Sequence, residues 1–185
     1  MKIIKYFFEF IIIITFFSIF KIIGYRNASN LGEKIGKIFG PLFRSSHVIQ
    51  KNLENLNDSY SHNEKKNIIK NMWGNYGRIF AEYMYLEKFR NNILSSNIEI
   101  NGQKILNEIK SKKEPVIFVS GHFNNFELMA MHLEKSGINL AAIYRPLNNK
   151  FLNPLMEKIR KKYICKNQIK KGIAGTKEIL KYFKE

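Results

Sequence analysis

Between Tyr6 and Ile23 the chain runs for eighteen residues with only two charges, Glu9 and Lys21. That is just within the length a helix needs to cross the hydrocarbon core of a bilayer. Lys2 and Lys5 precede the run, and Lys21, Arg26, Lys34 and Lys37 lie within or after it, so the basic residues choose no orientation. A cleaved signal peptide fits poorly: the apolar stretch exceeds the usual h-region, and no small-x-small site follows promptly. A membrane anchor is expected over residues 1–26, either a transmembrane helix or a phenylalanine-rich helix lying in the interface. A buried helix of a soluble protein is the remaining alternative.

The net charge of +16 favours anionic partners such as nucleic acid, anionic lipid or an acidic carrier protein. Lysine recurs throughout with isoleucine and asparagine, so the few arginines, suited to paired phosphate contacts, are the stronger signal. A single cysteine, Cys165, excludes an internal disulfide framework and a cysteine-based zinc site. His47, His62, His122 and His132 are too scattered to announce a metal cluster, so no metal or cofactor is expected. Fifteen Phe and nine Tyr argue against a disordered basic tail. Zinc-finger spacing, an aromatic RNA-binding strand motif and a compact helix-turn-helix are all missing, so no nucleic-acid partner is expected.

Three regions follow: an anchor helix over 1–26, a helical lead over 27–97, and an α/β core over 98–185. Gly32, Gly36 and Gly40 recur every four residues, a spacing that suits either close helix packing or an ordinary amphipathic helix ending before Pro41. After a polar loop at 57–63, apolar residues from Ile68 to Phe89 recur at three- and four-residue steps and predict one long helix with an aromatic stripe. From Pro115 onward the pattern alternates. Strands are expected at 115–120, 138–144 and 163–165, with helices following Phe126 and over 151–162 and 168–183. Such alternation implies a small, mostly parallel sheet covered by helices, with the strand ends at 120 and 144 on one rim.

That rim holds the candidate site. His122 follows a strand and Gly121, and then a helix opens, which is where ligands bind in open α/β folds. Glu127 lies five residues on. In an unbroken helix a step of five would turn the two side chains apart, so they meet only if His122 sits in a bend before the helix. There the carboxylate could fix the imidazole tautomer and leave the other nitrogen to take a proton. A capping or packing histidine is the plainer alternative. Arg145, after the second strand, is a candidate for phosphate or carbonyl contacts, with an ordinary surface arginine as the plainer alternative. Arg160, Lys161 and Lys162 end a helix and suit a solvated face, and Cys165 suits a buried apolar position.

The segment Gly121-His122-Phe-Asn-Asn-Phe-Glu127 is similar to the His-x4-acid motif of glycerolipid-type acyltransferases. With Asn52-Leu53-Glu54-Asn55-Leu56, Met72-Trp73-Gly74-Asn75-Tyr76-Gly77-Arg78 and Tyr144-Arg145-Pro146-Leu147-Asn148-Asn149, the chain resembles the lipid A biosynthesis acyltransferases, the late lauroyl or myristoyl transferases. The likeness covers about the first two thirds of such an enzyme, so a C-terminal third is expected to be missing. It implies a glycerolipid-acyltransferase-like α/β fold, with His122 and Glu127 as the catalytic pair and Arg145, Asn125 and Arg78 as substrate-binding residues. It further implies acyl carrier protein as donor partner, a phosphorylated glycolipid acceptor, and a place on an anionic phospholipid membrane at the cytoplasmic face of the bacterial inner membrane. A lysophospholipid or glycerol-phosphate acyltransferase, and a noncatalytic membrane-bound interaction protein on the same scaffold, are the alternatives.

Overall fold

The computed structural model describes residues 2–56 and 59–183, apart from the side chain of Ser46; the expected loop at 57–63 lies partly outside these residues. Helix α1, Lys2–Ile23, takes up the whole apolar run. Gly24, at a φ of 83°, ends it in the left-handed region and admits α2, Tyr25–Phe39. Helix α3 covers Ser46–Glu54 and α4 His62–Glu82. The start of α4 is set by a reciprocal cap: Ser61 Oγ accepts from the Glu64 N–H at 3.3 Å, and the Glu64 carboxylate accepts from the Ser61 N–H at 2.8 Å.

The long helix expected to continue to Phe89 is broken by a 3₁₀ turn at Tyr83–Tyr85, followed by a short α5, Leu86–Arg90. Tyr83 and Tyr85 are buried there, and the Tyr85 hydroxyl donates to the Phe20 carbonyl. The break thus satisfies a buried phenol.

The chain forms two compact units, one of Ile13–Tyr85 and one of Met1–Ile12 with Leu86–Glu185. In the helical unit α2 and α4 approach through glycines. A Cβ on Gly77 would lie 2.0 Å from the Gly32 carbonyl oxygen, one on Gly36 2.2 Å from that of Trp73, and one on Gly32 2.3 Å from that of Gly77. Of the two readings of the four-residue glycine spacing, the structure realises close packing. Beside this seam Ser29 Oγ donates to the buried Glu82 carboxylate at 2.8 Å, and Phe80 packs on Phe17 and Phe20.

In the second unit α6 is Gln103–Lys112, α7 Glu127–Lys135, β1 Ala141–Tyr144, α8 Leu152–Tyr163, β2 Asn167–Lys170 and α9 Ile173–Tyr182. Strands β1 and β2 pair in parallel, Ala141 opposite Asn167 and Tyr144 opposite Lys170, with α8 in the crossover between them. The fold is therefore an N-terminal apolar helix followed by a small, open, parallel sheet surrounded by helices. Arg90 ties α5 to this core through Glu134 at 2.6 Å and the Tyr163 carbonyl at 3.1 Å.

Two expectations are corrected. Residues 115–120 join no ladder, and Val116, Ile117 and Val119 are exposed, so an apolar run without a paired neighbour stays an extended strap. The strand expected at 163–165 forms at Asn167–Lys170 instead. Ile169 faces the core from that strand rather than from a helix, and Gly172, at a φ of 139°, separates it from α9.

Gly77→Ala is expected to destabilise the helical unit by about 1–3 kcal/mol, the usual cost of forcing a methyl group into a full contact. A lowered urea midpoint in far-UV circular dichroism, compared with exposed Lys70→Ala, is the check.

Candidate active site

His122 sits in the strap that leads into α7. Its neighbours are unusually open for apolar residues: Val119 is 89% exposed and Phe123 82%. The bend falls at Asn124, whose φ of 44° is left-handed, and not at Gly121. Asparagine tolerates that region better than most side chains. The Phe126 N–H donates to the Asn124 carbonyl and the Leu128 N–H to that of Asn125, both at 3.0 Å. These bonds close the turn and make Glu127 the first residue of α7.

Glu127 is only 8% exposed. A buried carboxylate needs a cation, and Arg160 supplies it, with Nε and Nη2 each 3.0 Å from Oε1. The anion also stands in the first turn of α7, where the helix dipole favours it. Arg160, in the last turn of α8, is therefore held in an ion pair with a buried acid, a correction to the solvated face expected of 160–162. This is the site residue that the sequence reading missed.

The exposed His122 ring rests on Phe126, ring centres 4.2 Å apart and planes at 57°. No hydrogen bond or ion pair joins His122 to Glu127 among the described residues. The fold thus brings His122, Asn125 and Glu127 to one helix opening and adds Arg160, with the imidazole turned onto an aromatic neighbour.

Arg145 is exposed on the loop after β1, and that loop is firmly tied. The Leu147 N–H donates to Asn153 Oδ1 at 2.8 Å, and Asn149 Oδ1 caps α8 by accepting from the N–H groups of Phe151 and Leu152 at 3.0 and 3.1 Å. The Tyr144 hydroxyl donates to Glu157, which also accepts from Asn153 Nδ2 at 2.8 Å and pairs with Lys170 at 3.5 Å. Burial, with Glu157 alongside, pushes the Tyr144 hydroxyl up to about 12. The Tyr144 hydrogen bond, supported by Asn153 and Lys170, holds the Glu157 carboxyl below its ordinary value.

Arg78 belongs to the helical unit. Its guanidinium donates to Ser29 Oγ at 3.1 Å and Asn30 Oδ1 at 3.3 Å and pairs with Glu33, so it clamps α4 to α2. Lys37 and Arg78 hold the Glu33 carboxyl below its ordinary value. Cys165 is fully buried, its sulfur 3.0 Å from the Leu140 carbonyl oxygen, and burial pushes the thiol up.

An apolar groove of ≈ 440 Å³ lies beside the strap, lined by Phe118, Leu128, Leu133, Ile98, Ile105 and His132 among others. Its size is that of a small-molecule site. Among the described residues no group of three or more His, Cys, Asp or Glu side chains is placed to hold a metal ion.

The model of the bacterial lipid A biosynthesis acyltransferase family matches residues 1–183. No curated protein and no solved structure matches the chain.

Arg160→Gln leaves Glu127 buried beside a neutral amide and is expected to lose about 3–5 kcal/mol of stability, read from the urea midpoint. Adding Glu127→Gln should recover much of that loss. The Tyr144–Glu157 bond has limits at both ends of the pH scale. The phenol's raised value makes its contribution full below its ordinary 10.0 and lost as pH rises through about 12. The carboxyl's lowered value makes its contribution full above its ordinary 4.5 and lost as pH falls through the depressed value. Ultraviolet titration should show an ionisation near 12 that Tyr144→Phe removes.

Proposed function

We propose, for a chain that belongs to the bacterial lipid A biosynthesis acyltransferase family, that it moves a fatty acyl group from an acyl carrier protein thioester to a hydroxyl of a phosphorylated glycolipid precursor of lipid A. The late lauroyl or myristoyl transferases are the branch it is read into. The observation that carries this reading is the family match over residues 1–183, within which the His-x4-acid pair falls at the opening of α7.

In this reading His122 is the general base. It takes the proton of the acceptor hydroxyl as the oxygen bonds to the thioester carbonyl carbon; the carbon–sulfur bond then breaks, and the proton passes to the departing thiolate. Glu127, fixed by Arg160, is the carboxylate that orients the imidazole. The ring turns from Phe126 towards it as substrate covers the exposed strap, since catalytic hydrogen bonds often tighten only in the complex. The apolar groove beside Phe118 and Leu128 takes the acyl chain. Arg145, on its pinned loop, meets a phosphate or the thioester region with paired donors, and Asn125 contributes a polar contact next to the base. Arg78, which clamps α4 to α2 in the helical unit, is the third residue read as substrate-binding. The excess positive charge attracts both the acidic carrier and the anionic cytoplasmic face of the inner membrane.

With acyl carrier protein thioester and a lipid A precursor supplied in detergent, His122→Ala is expected to lower kcat/KM by roughly 10²-fold or more. Unchanged transfer would remove the base from the mechanism. Transfer only to a lysophospholipid offered in the same assay would move the chain to that branch. A wild-type chain with no transfer to either acceptor would favour a noncatalytic membrane protein.

A further inference from the structure

Within the helical unit, α2 ends at Phe39 and the chain turns through a 3₁₀ helix, Gly40–Leu42, before α3 begins. The turn is pinned from below. Gly40 is buried, and a Cβ on it would lie 2.4 Å from Cδ2 of Trp73, so its backbone rests directly on the indole of α4. The Gly40 N–H donates to the Gly36 carbonyl, and the Phe43 N–H donates to that of Gly40 at 2.9 Å. Pro41 holds its own φ by its ring.

The glycine is the turn's inward residue, and the large side chains around it point away. Ile38, Phe39, Leu42 and Phe43 are 67%, 50%, 80% and 83% exposed. Four large apolar side chains among six consecutive residues, held out by hydrogen-bonded backbone, are a built patch and not a frayed end. Contiguous apolar surface of this kind on a folded chain marks an interaction site.

The charges around the patch narrow the partner. From residue 34 to residue 53 the sequence holds Lys34, Lys37, Arg44 and Lys51 and no acid. Lys37 is occupied by Glu33, but among the described residues no ion pair engages Lys34, Arg44 or Lys51, and all three are exposed. Lys34 stands one turn before Ile38 on the same face of α2, and Arg44 directly follows Phe43. An apolar tip with cations immediately behind it matches the layering of an anionic bilayer, hydrocarbon beneath phosphate. A second copy of the chain fits less well, because a two-fold contact through this patch would set the same cations against one another. Side chains so fully exposed also protrude, and a fluid lipid surface admits a protrusion without needing a shaped pocket.

We propose that the turn between α2 and α3 is a membrane-insertion wedge separate from α1: Ile38, Phe39, Leu42 and Phe43 enter an anionic lipid surface while Lys34 and Arg44 meet its phosphate headgroups. Each large apolar side chain that leaves water for hydrocarbon favours insertion. The packing of Gly40 on Trp73 keeps the wedge presented, so little ordering is needed when lipid is met. The wedge belongs to the helical unit alone and does not depend on the transfer chemistry.

The test uses the full chain reconstituted in vesicles of phosphatidylethanolamine and phosphatidylglycerol. Helix α1 is itself apolar enough to hold the chain to lipid, so total binding does not report on the turn and the readout must be local. An environment-sensitive fluorophore is attached at Phe43→Cys, with the buried Cys165 left in place. Doxyl groups on the lipid chains are expected to quench this label several-fold, and to quench Trp73, the chain's one tryptophan, more weakly from beneath the turn. Lys34→Glu combined with Arg44→Glu, with far-UV circular dichroism unchanged, is expected to reduce the quenching several-fold at low salt. Quenching that this reversal leaves unchanged would overturn the role of the cations. A label open to aqueous iodide and untouched by the doxyl groups would overturn the wedge. A label shielded from both would place the turn against protein, and cross-linking between two copies through Phe43→Cys would identify that protein as a second chain; either result overturns the lipid assignment. None of these readouts measures acyl transfer, so their failure is separate from a failure of the enzymatic reading.

Discussion

A carboxylate that loses its water must find a cation, and the core around the site is organised by that requirement at Glu127. Its partner Arg160 lies thirty-three residues on, at the far end of α8, with both guanidinium contacts at 3.0 Å. The pair joins the opening of α7 to the close of α8, the helix that connects β1 to β2. A charge buried without that partner would cost several kcal/mol, so the position of α7 against α8 is tightly specified. Because Glu127 is the first residue of α7, the same pair fixes where the strap with His122 must deliver the chain. His122 is thus placed by an ion pair to which it does not belong.

The helical unit solves a related problem with shape in place of charge. Gly32, Gly36 and Gly77 bring backbone within reach of backbone, leaving no room for a methyl group. So close an approach puts the polar groups of α2 and α4 face to face, and they are matched: Ser29 to Glu82, and Glu33 to Arg78. A guanidinium occupied in this way holds the two helices in register. Substitution at Arg78 therefore acts on helix geometry.

Much of this was legible from residue order, in unequal measure. The apolar helix, the glycine seam as one of two options, the alternation of helix and strand after Gly137, and the burial of Cys165 all rest on local periodicity or composition. The strap at 115–120 did not. Pro-Val-Ile-Phe-Val reads as a buried strand, but a strand exists only through its partner's hydrogen bonds, which local sequence does not encode. Ile169 was misplaced for the converse reason: one apolar residue fits a helical step as readily as a strand step, and only Gly172 marked the boundary. Arg160 sat among lysines in a helix's last turn, where the dipole alone explains a cation. Its pairing with Glu127 is a tertiary fact, hinted at only by the choice of arginine over the surrounding lysine.

The site's groups differ in how firmly they are held, and the difference bears on order of events. Arg145 is carried by a loop with ties at Leu147, Asn149 and Tyr144, so ligand contact there costs little further ordering of the backbone. His122 is carried by a strap with no ladder partner and with Val119 and Phe123 in water. Covering those two side chains with an apolar group would return about 25 cal/mol for each square ångström removed from water. In the proposed mechanism an anionic group therefore engages the pinned loop first. In the proposed mechanism the base therefore takes its final orientation only after the donor has arrived, with the His122 ring resting on Phe126 beforehand.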